Sequence, residues 1–234
     1  MGSKNKLKRF RENETFSNVI QPTRKEVIEG FSLKGNWHTL FNNSNPIVLE
    51  LGCGKGEYSI ALARKNPNIN YIGVDIKGAR FWRGAKIALE ENLTNVAFLR
   101  SQIELIDLLF NEQEVAEIWI TFPDPQIKYT RTKHRLTNTE FLKKYRHILK
   151  PEGIVHLKTD SEFMHGYTLG LLQGEGHEII YAHHDIYKNY HAPEEVTSTQ
   201  TFYESQYLEI GKPITYIKFK LRYKKKPANP QSGN

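Results

Sequence analysis

The chain has 234 residues, of which 38% are hydrophobic and 25% are charged, a composition typical of one soluble globular domain rather than a disordered chain. No apolar run is long enough to span a bilayer, no secretory signal follows Met1, and the single cysteine excludes a disulfide framework and a cysteine-rich zinc site. We therefore expect a cytoplasmic protein without membrane attachment.

The net charge of +7 is distributed unevenly along the chain. Residues 1–35 carry eight Lys and Arg against four acidic residues, residues 125–150 carry eight against one, and residues 211–234 carry seven against none. The remainder of the chain is acidic. Three basic segments favour a polyanionic partner if the fold brings them together, and solvated basic tails are the alternative.

In chain order, a basic N-terminal arm and docking segment (1–35) precedes a single predicted domain (36–223) and a disordered basic and polar tail (224–234). Within the domain, β-branched runs predict strands at 47–51, 71–75, 96–99, 116–122, 153–159, 178–183 and 213–223. Helical patterns lie between them at 57–66, 77–92, 103–110, 137–150 and 161–173, and Thr137 with Glu140 predicts a capping box. This alternation predicts an α/β fold with a parallel sheet covered by helices on both faces.

A glycine-rich turn with an acid before it follows the first predicted strand. Gly52, Gly54 and Gly56 are spaced G-x-G-x-G rather than as in a dinucleotide site, and Glu50 would repel a phosphate but attract a cation. Asp75 ends the second strand, where an acid can hold ribose hydroxyls. The pair favours S-adenosylmethionine, which is cationic, and a tight strand-to-helix turn with a chance acid is the alternative.

Two further acids follow later strands and would lie at the same edge of the sheet. Asp124 stands between two prolines after the fourth strand, and Asp160 follows the fifth. A simple strand-ending turn is the alternative for Asp124. A basic loop at 128–135 follows Asp124. In the glycine turn, Cys53 has no partner base in the sequence, which favours a structural role for this cysteine.

Six segments together resemble one family, the bacterial tRNA (guanine-N7)-methyltransferases, which modify the guanine at position 46 of the tRNA variable loop. The segments are 50–56, 71–75, 122–125, 135–137, 158–160 and 201–204. The resemblance covers roughly residues 20 to 220. It implies a Rossmann-like class I methyltransferase with a mostly parallel seven-stranded sheet and an antiparallel C-terminal strand, S-adenosylmethionine as cofactor and tRNA as partner.

The resemblance also implies roles for individual residues. Cofactor contacts fall on Glu50, Gly52, Gly54, Gly56, Asp75, Asp124 and, at the position of the family's adenine-binding acid, Gln102. Substrate contacts fall on Lys128, Asp160, Thr201, Phe202, Tyr203 and Glu204, and RNA contacts on Arg131, Lys133 and Arg135. Gln126 and Ile127 depart from the family's Trp-Pro, and Tyr129, Thr130 and Arg131 depart from its Lys-Arg-His.

Methylation of guanine N7 makes few chemical demands on an enzyme. N7 carries an in-plane lone pair and no proton, so attack needs no general base, no covalent nucleophile and no metal. Alignment is the main task, and a carboxylate can stabilise the positive charge that moves onto the purine. We expect Asp160 to fill this role first and Asp124 second.

Other functions remain open from the sequence. A class I methyltransferase acting on another RNA or on a protein is one alternative, and a non-catalytic RNA-binding subunit is another. The histidine spacing fits no metal site, and an oxidoreductase using a nicotinamide dinucleotide is disfavoured by Glu50 and the glycine spacing. No obligate protein partner is indicated, and the resemblance allows a monomer or a homodimer.

Overall fold

An eight-stranded sheet forms the centre of the protein in this computed structural model, which describes residues 3–223. The strands are Val19–Ile20 (β1), Ile47–Leu51 (β2), Asn70–Val74 (β3), Val96–Leu99 (β4), Val115–Thr121 (β5), Leu149–Thr159 (β6), Glu178–His183 (β7) and Thr215–Lys220 (β8). Their order across the sheet is β1-β4-β3-β2-β5-β6-β8-β7. β8 runs antiparallel to both of its neighbours, β6 and β7, and the other strand pairs are parallel, so the predicted mostly parallel sheet with an antiparallel C-terminal strand is confirmed.

The predicted number of seven strands is wrong by one. The added strand β1 lies in the N-terminal segment and pairs in parallel with the edge strand β4, with Val19 opposite Phe98 and Ile20 opposite Leu99. Two residues are too few for a periodic pattern to be visible in the sequence. The C-terminal strand is also shorter than the predicted 213–223 because its pairing with β6 ends at Lys220.

The helices cover both faces of the sheet, as predicted. They are Ser3–Asn13 (α1), Arg24–Gly30 (α2), Trp37–Phe41 (α3), Glu57–Lys65 (α4), Gly78–Glu90 (α5), Ile106–Leu109 (α6), Thr139–Ile148 (α7), Glu162–Gly174 (α8), Glu194–Thr197 (α9) and Phe202–Glu209 (α10), with 3-10 turns at Ile103–Leu105 and Tyr129–His134. Alternate residues of one strand enter different cores, since Leu49 packs with Trp37 and Tyr145 while Val48 packs with Tyr58 and Phe81. No helix among residues 3–223 has the length and apolarity needed to cross a membrane.

Helix α7 begins one residue later than the predicted capping box requires. Asn138 is the N-cap, and its side chain accepts a hydrogen bond of 2.9 Å from the Phe141 amide. The Thr137 hydroxyl is turned inward and hydrogen-bonds to the Thr168 hydroxyl at 2.7 Å. The helix ends at Ile148 rather than at residue 150, because the following residues join β6.

The N-terminal segment is packed against the domain from its first described helix. Asn13 donates a hydrogen bond of 2.9 Å from Nδ2 to the Gly78 carbonyl, and the Trp82 indole donates to a Glu12 carboxylate oxygen at 2.5 Å. Helix α1 is therefore fixed on α5. The predicted tail at 224–234 lies outside the described residues.

The strand order places a crevice at the carboxyl ends of β2 and β5. These strands are neighbours, and the chain leaves them toward opposite sides of the sheet, to β3 and to β6. Ligands bind at such a switch point in open α/β sheets. The glycine turn, Asp75, the 121–125 turn and Asp160 all follow strands that end at this edge.

Candidate active site

The glycine turn after β2 is open toward the crevice on one side and tightly packed on the other. Gly52, Gly54 and Gly56 have φ angles of 78°, 56° and 75°, a left-handed conformation that favours glycine. A Cβ on Gly52 would meet no atom within 4 Å, whereas one on Gly56 would lie 2.4 Å from the Phe98 ring. Gly52 and Gly54 therefore border space for a ligand, and Gly56 allows close packing of the turn on β4.

Glu50 is a buried carboxylate at the base of the crevice, with 5% of its surface exposed. One oxygen accepts hydrogen bonds from the amide and the hydroxyl of Ser59, and the other accepts one of 2.7 Å from the Thr121 hydroxyl. Burial raises the pKa of Glu50 to about 7, although these hydrogen bonds act in the opposite direction. A cation in the crevice would favour the ionised form.

Asp75 connects the glycine turn to the start of α5. Its Oδ2 accepts a hydrogen bond of 3.0 Å from the Gly54 amide, and its Oδ1 accepts one of 2.7 Å from the Lys77 amide. Each carboxylate oxygen has a second lone pair. Asp75 can therefore fix the turn and still accept from two ribose hydroxyls, as its position in the sequence predicts.

Gln102 lines a separate cleft at the ends of β3 and β4. The half-exposed side chain of Ile76 forms one wall of this cleft, and Arg100, Ser101 and Leu105 contribute to the rest. The side-chain amide oxygen of Gln102, Oε1, accepts a hydrogen bond of 2.8 Å from the Arg24 guanidinium. The apolar wall beside an amide group is suited to a flat heterocycle such as adenine.

The turn after β5 has strained backbone at two positions. Phe122 and Gln126 both have a φ of 47°, a region that residues with a Cβ rarely adopt. Asp124 lies between them, exposed, and its Oδ1 accepts a hydrogen bond of 3.0 Å from the Gln126 amide. The turn thus holds the carboxylate at a fixed place on the rim, and Ile127, which replaces the family's proline, is largely exposed.

Asp160 forms an ion pair that the sequence analysis missed. Lys212 precedes β8, and its Nζ lies 2.5 Å from Asp160 Oδ2 because β8 returns antiparallel along β6, with Thr215 opposite Thr159. The hydrogen bond to Asp160 raises the pKa of Lys212. The Lys212 ammonium also lies 4.6 Å from the Tyr207 ring, which packs against Phe122 in the wall of the cleft.

Glu204, for which the resemblance implies a substrate contact, has a side chain that is 0% exposed. Its Oε1 lies 2.6 Å from the Nζ of the equally buried Lys158 and accepts a hydrogen bond of 2.7 Å from the Tyr187 hydroxyl. Burial lowers the pKa of Lys158, and Glu204 opposes this shift. Glu204 also forms a capping box with Thr201 at the start of α10. The Lys158–Glu204 pair and the capping box together fix the position of α10.

Phe202 and Tyr203 are held over the glycine turn by this arrangement. Both rings are about half exposed, and the Lys55 ammonium lies 4.1 Å from the centre of the Phe202 ring. The Phe202 amide donates a hydrogen bond of 2.8 Å to Glu57. Thr201 and Tyr203 line the same cleft as Glu50 and Gly52, so the structure brings these parts of two distant segments together.

The basic loop presents some of its charges to solvent and buries one. Lys128, Arg131 and Lys133 are exposed, which fits their predicted contacts. The predicted RNA contact by Arg135 needs correction, because its side chain donates to the carbonyls of residues 126 and 127 at 3.1 and 3.2 Å. The residue is only 6% exposed, and its guanidinium stacks on Phe163 and Tyr167. Arg135 shapes the loop instead.

Within residues 211–223, the described part of the third basic segment, the cations do not all lie at the crevice edge. Lys212 lies at the crevice edge, but β8 carries Lys220 to the opposite edge, where it pairs with Glu152 at 2.7 Å.

Burial raises the pKa of the Cys53 thiol well above its usual range, as expected for a structural cysteine. Among residues 3–223, no group of three His, Cys, Asp or Glu side chains is placed to hold a metal ion.

Comparison with known proteins agrees with this geometry. A family model described as "Putative methyltransferase" matches residues 44–217. The chain is 72% identical over 224 residues to the tRNA (guanine-N(7)-)-methyltransferase of Christiangramia forsetii, which covers 95% of this chain and 100% of that protein. It is 49% identical over 212 residues to the protein of the same name from Porphyromonas gingivalis, covering 89% of this chain and 86% of that protein.

A solved structure supports the fold. The crystal structure of the 16S rRNA methyltransferase KamB superposes with a TM-score of 0.61 at 14% identity, covering 81% of this chain and 94% of that chain. At this identity, the likeness concerns the architecture alone. The predicted Rossmann-like methyltransferase fold is confirmed.

Proposed function

This chain belongs to the tRNA (guanine-N7)-methyltransferase family, and we propose that it transfers a methyl group from S-adenosylmethionine to N7 of a guanine in tRNA. We further propose that the target is position 46 in the variable loop. The observation that carries the proposal is the cleft itself. Glu50, the open glycine turn and Phe122 line the cleft. Phe122 packs against Tyr207, and Tyr207 contacts Lys212, which pairs with Asp160.

The residues of the cleft fit S-adenosylmethionine. Gly52 leaves room that a Cβ would fill, and Glu50 places a carboxylate at the bottom of the cleft, where it can attract a cation. Asp75 has lone pairs for ribose hydroxyls. The Ile76 and Gln102 cleft is suited to the adenine. When bound, S-adenosylmethionine supplies a methyl group already activated on a sulfonium.

Asp160 is the carboxylate that we place beside the reacting purine. Lys212 occupies one of its oxygens and fixes its orientation, so the other oxygen is available to the positive charge that develops on guanine. Asp124 also has one oxygen outside its own turn. We assign it to an amino group, either that of the methionine moiety or that of the guanine edge.

The basic loop would approach the RNA. Lys128, Arg131 and Lys133 are exposed and placed to neutralise phosphates, and Tyr129 is 91% exposed between them, where a base can stack on it. Arg135 holds this loop from below. A tRNA substrate fits a cytoplasmic enzyme, and we propose that this one acts as a monomer or homodimer without an obligate protein partner.

The test is methyl transfer from labelled S-adenosylmethionine to an in vitro transcribed tRNA with guanine at position 46. The matched control is the same transcript with adenine at that position. We expect label in the first transcript and none in the second. Equal labelling of both transcripts would reject position 46 as the target but not methylation of tRNA. Absence of label from the transcript with guanine at position 46 would reject the proposed function.

A further inference from the structure

A strongly basic groove lies between α1 and the start of α5, next to the glycine turn. Seven Lys and Arg side chains line it, among them Lys6, Lys77, Arg80 and Arg83. Within the described residues, no acidic side chain lines it. Most of these cations lie outside the three basic segments of the sequence, so the groove exists only in the folded chain. Its volume is about 510 Å³.

Close packing of α1 on α5 gives the groove a fixed shape. Gly78 allows this approach, because a Cβ there would lie 3.3 Å from both the Phe10 ring and the Asn13 side chain. The Asn13 amide donates to the Gly78 carbonyl at 2.9 Å, and Trp82 donates to Glu12. The groove is therefore formed before any ligand arrives.

Aromatic rings hold two of the cations in place. The Arg100 guanidinium lies 4.8 Å from the centre of the Phe10 ring, and the Arg9 guanidinium lies 4.7 Å from the Trp82 ring. Each guanidinium also donates to a backbone carbonyl, Arg9 to Ala79 at 3.5 Å and Arg100 to Ile76 at 3.4 Å, so that a ring and a carbonyl together fix its orientation. This arrangement suits phosphate, whose oxygens arginine binds with a defined geometry.

Of the acids nearest the groove, one pairs with a groove cation and the others are engaged elsewhere. Glu12 accepts from Trp82 and pairs with Lys8 at 3.8 Å. Glu57 accepts from the Phe202 amide and pairs with Lys55, and Asp75 accepts from two backbone amides. Among the described residues, Lys55 is paired in this way, whereas five other groove cations form no ion pair: Lys6, Lys77, Arg80, Arg83 and Arg100. Protein surfaces usually intersperse the two signs, because like charges at short range repel.

The groove opens at the active site, since Gly54, Lys55 and Tyr203 belong to both linings. We propose that it binds the phosphodiester backbone of the tRNA beside the nucleotide that enters the cleft. This inference rests on the proposed function and assigns the RNA a second contact surface, built by α1 and α5 in addition to the 128–135 loop.

The experiment compares two triple variants with the same change in net charge. Lys6→Gln/Lys77→Gln/Arg83→Gln removes three groove cations, and Arg80 is left unchanged because it also lines the cofactor cleft. The control, Lys143→Gln/Lys150→Gln/Lys220→Gln, removes three cations on α7 and β6 and at the far end of β8. Binding of the unmodified transcript is measured between low and moderate salt, together with binding of S-adenosylhomocysteine.

We expect the groove variant to lose about 10- to 100-fold in tRNA affinity and the slope of log affinity against log salt to fall by about 2. S-adenosylhomocysteine affinity and the thermal unfolding midpoint should stay at the wild-type values, and the control should bind tRNA as the wild type does. An unchanged slope, an equal loss in the control, or a loss confined to S-adenosylhomocysteine would overturn the inference. The single variant Arg83→Gln provides the same test if the triple variant unfolds. Absence of methyl transfer by the wild type would reject the proposed function, and the binding data would still decide the role of the groove.

Discussion

Replacement of Glu204 by glutamine tests whether the Lys158–Glu204 pair holds α10 over the cleft. Both side chains are 0% exposed. Without the carboxylate, the Lys158 ammonium keeps the carbonyls of Val196 at 2.6 Å and Thr199 at 3.0 Å and has no anionic partner. Two neutral acceptors do not balance a full buried charge.

The expected cost is about 3 kcal/mol in the free energy of unfolding. Removal of one partner of a buried ion pair costs about 3–5 kcal/mol, and we place this case at the lower end because the Gln amide oxygen can still accept one hydrogen bond. The weakened capping box at Thr201 contributes up to about 1 kcal/mol of that total.

Urea unfolding, followed by tryptophan fluorescence, measures the change. The matched control is Glu209→Gln, an exposed carboxylate at the end of the same helix, which should alter stability by less than about 0.5 kcal/mol. Lys158→Met/Glu204→Leu should recover much of the lost stability, since it leaves no buried charge unpaired. A loss below about 1 kcal/mol in Glu204→Gln would refute the reasoning.

Three further predictions concern the cleft. Binding of S-adenosylmethionine, measured by calorimetry, should tighten by up to about tenfold from pH 6 to pH 8, because the Glu50 pKa of about 7 leaves this acid protonated and neutral at the lower pH. The Glu50→Gln variant should bind the cofactor weakly at both pH values. Equal affinity of the wild type at pH 6 and pH 8 would contradict this role of Glu50. Asp160→Asn should lower kcat by about 100-fold or more with tRNA affinity within twofold of the wild type, and near-normal turnover would reject the role. Gly52→Ala should weaken cofactor binding by at least about tenfold, since it combines a φ of 78° with a methyl group in the cradle. The control Gly211→Ala has a φ of 72° and similar free space, so equal weakening in both would show that strain alone is responsible.

The parts of the site that follow from sequence are those carried by short contiguous segments. Glu50 and the glycine turn lie within seven consecutive residues of one strand and its loop, and Asp75 follows the next strand, so parallel pairing alone brings them to one edge. The same reasoning places Asp124 and Asp160 after neighbouring strands. Parallel pairing determines these positions, and the alternation of strands and helices in the sequence predicts that pairing.

Contacts between distant segments were not predictable in this way. Arg135 and Glu204 belong to motifs that resemble functional ones, yet their side chains turn inward, where Arg135 stacks on Phe163 and Glu204 pairs with Lys158. The pairing of Asp160 with Lys212 depends on how β8 returns to the sheet. A residue's place in a motif does not determine which way its side chain faces.

Methylation at N7 of guanine in tRNA can be distinguished from methylation at any other atom with a substrate that lacks N7. The full chain is incubated with S-adenosylmethionine and two transcripts that differ only in carrying guanine or 7-deazaguanine at position 46, and the nucleosides are then identified by mass spectrometry. We expect 7-methylguanosine from the guanine transcript and no methylated nucleoside from the other, in which a carbon replaces N7. Methylation of the 7-deazaguanine transcript, or any product other than 7-methylguanosine from the first, would contradict it.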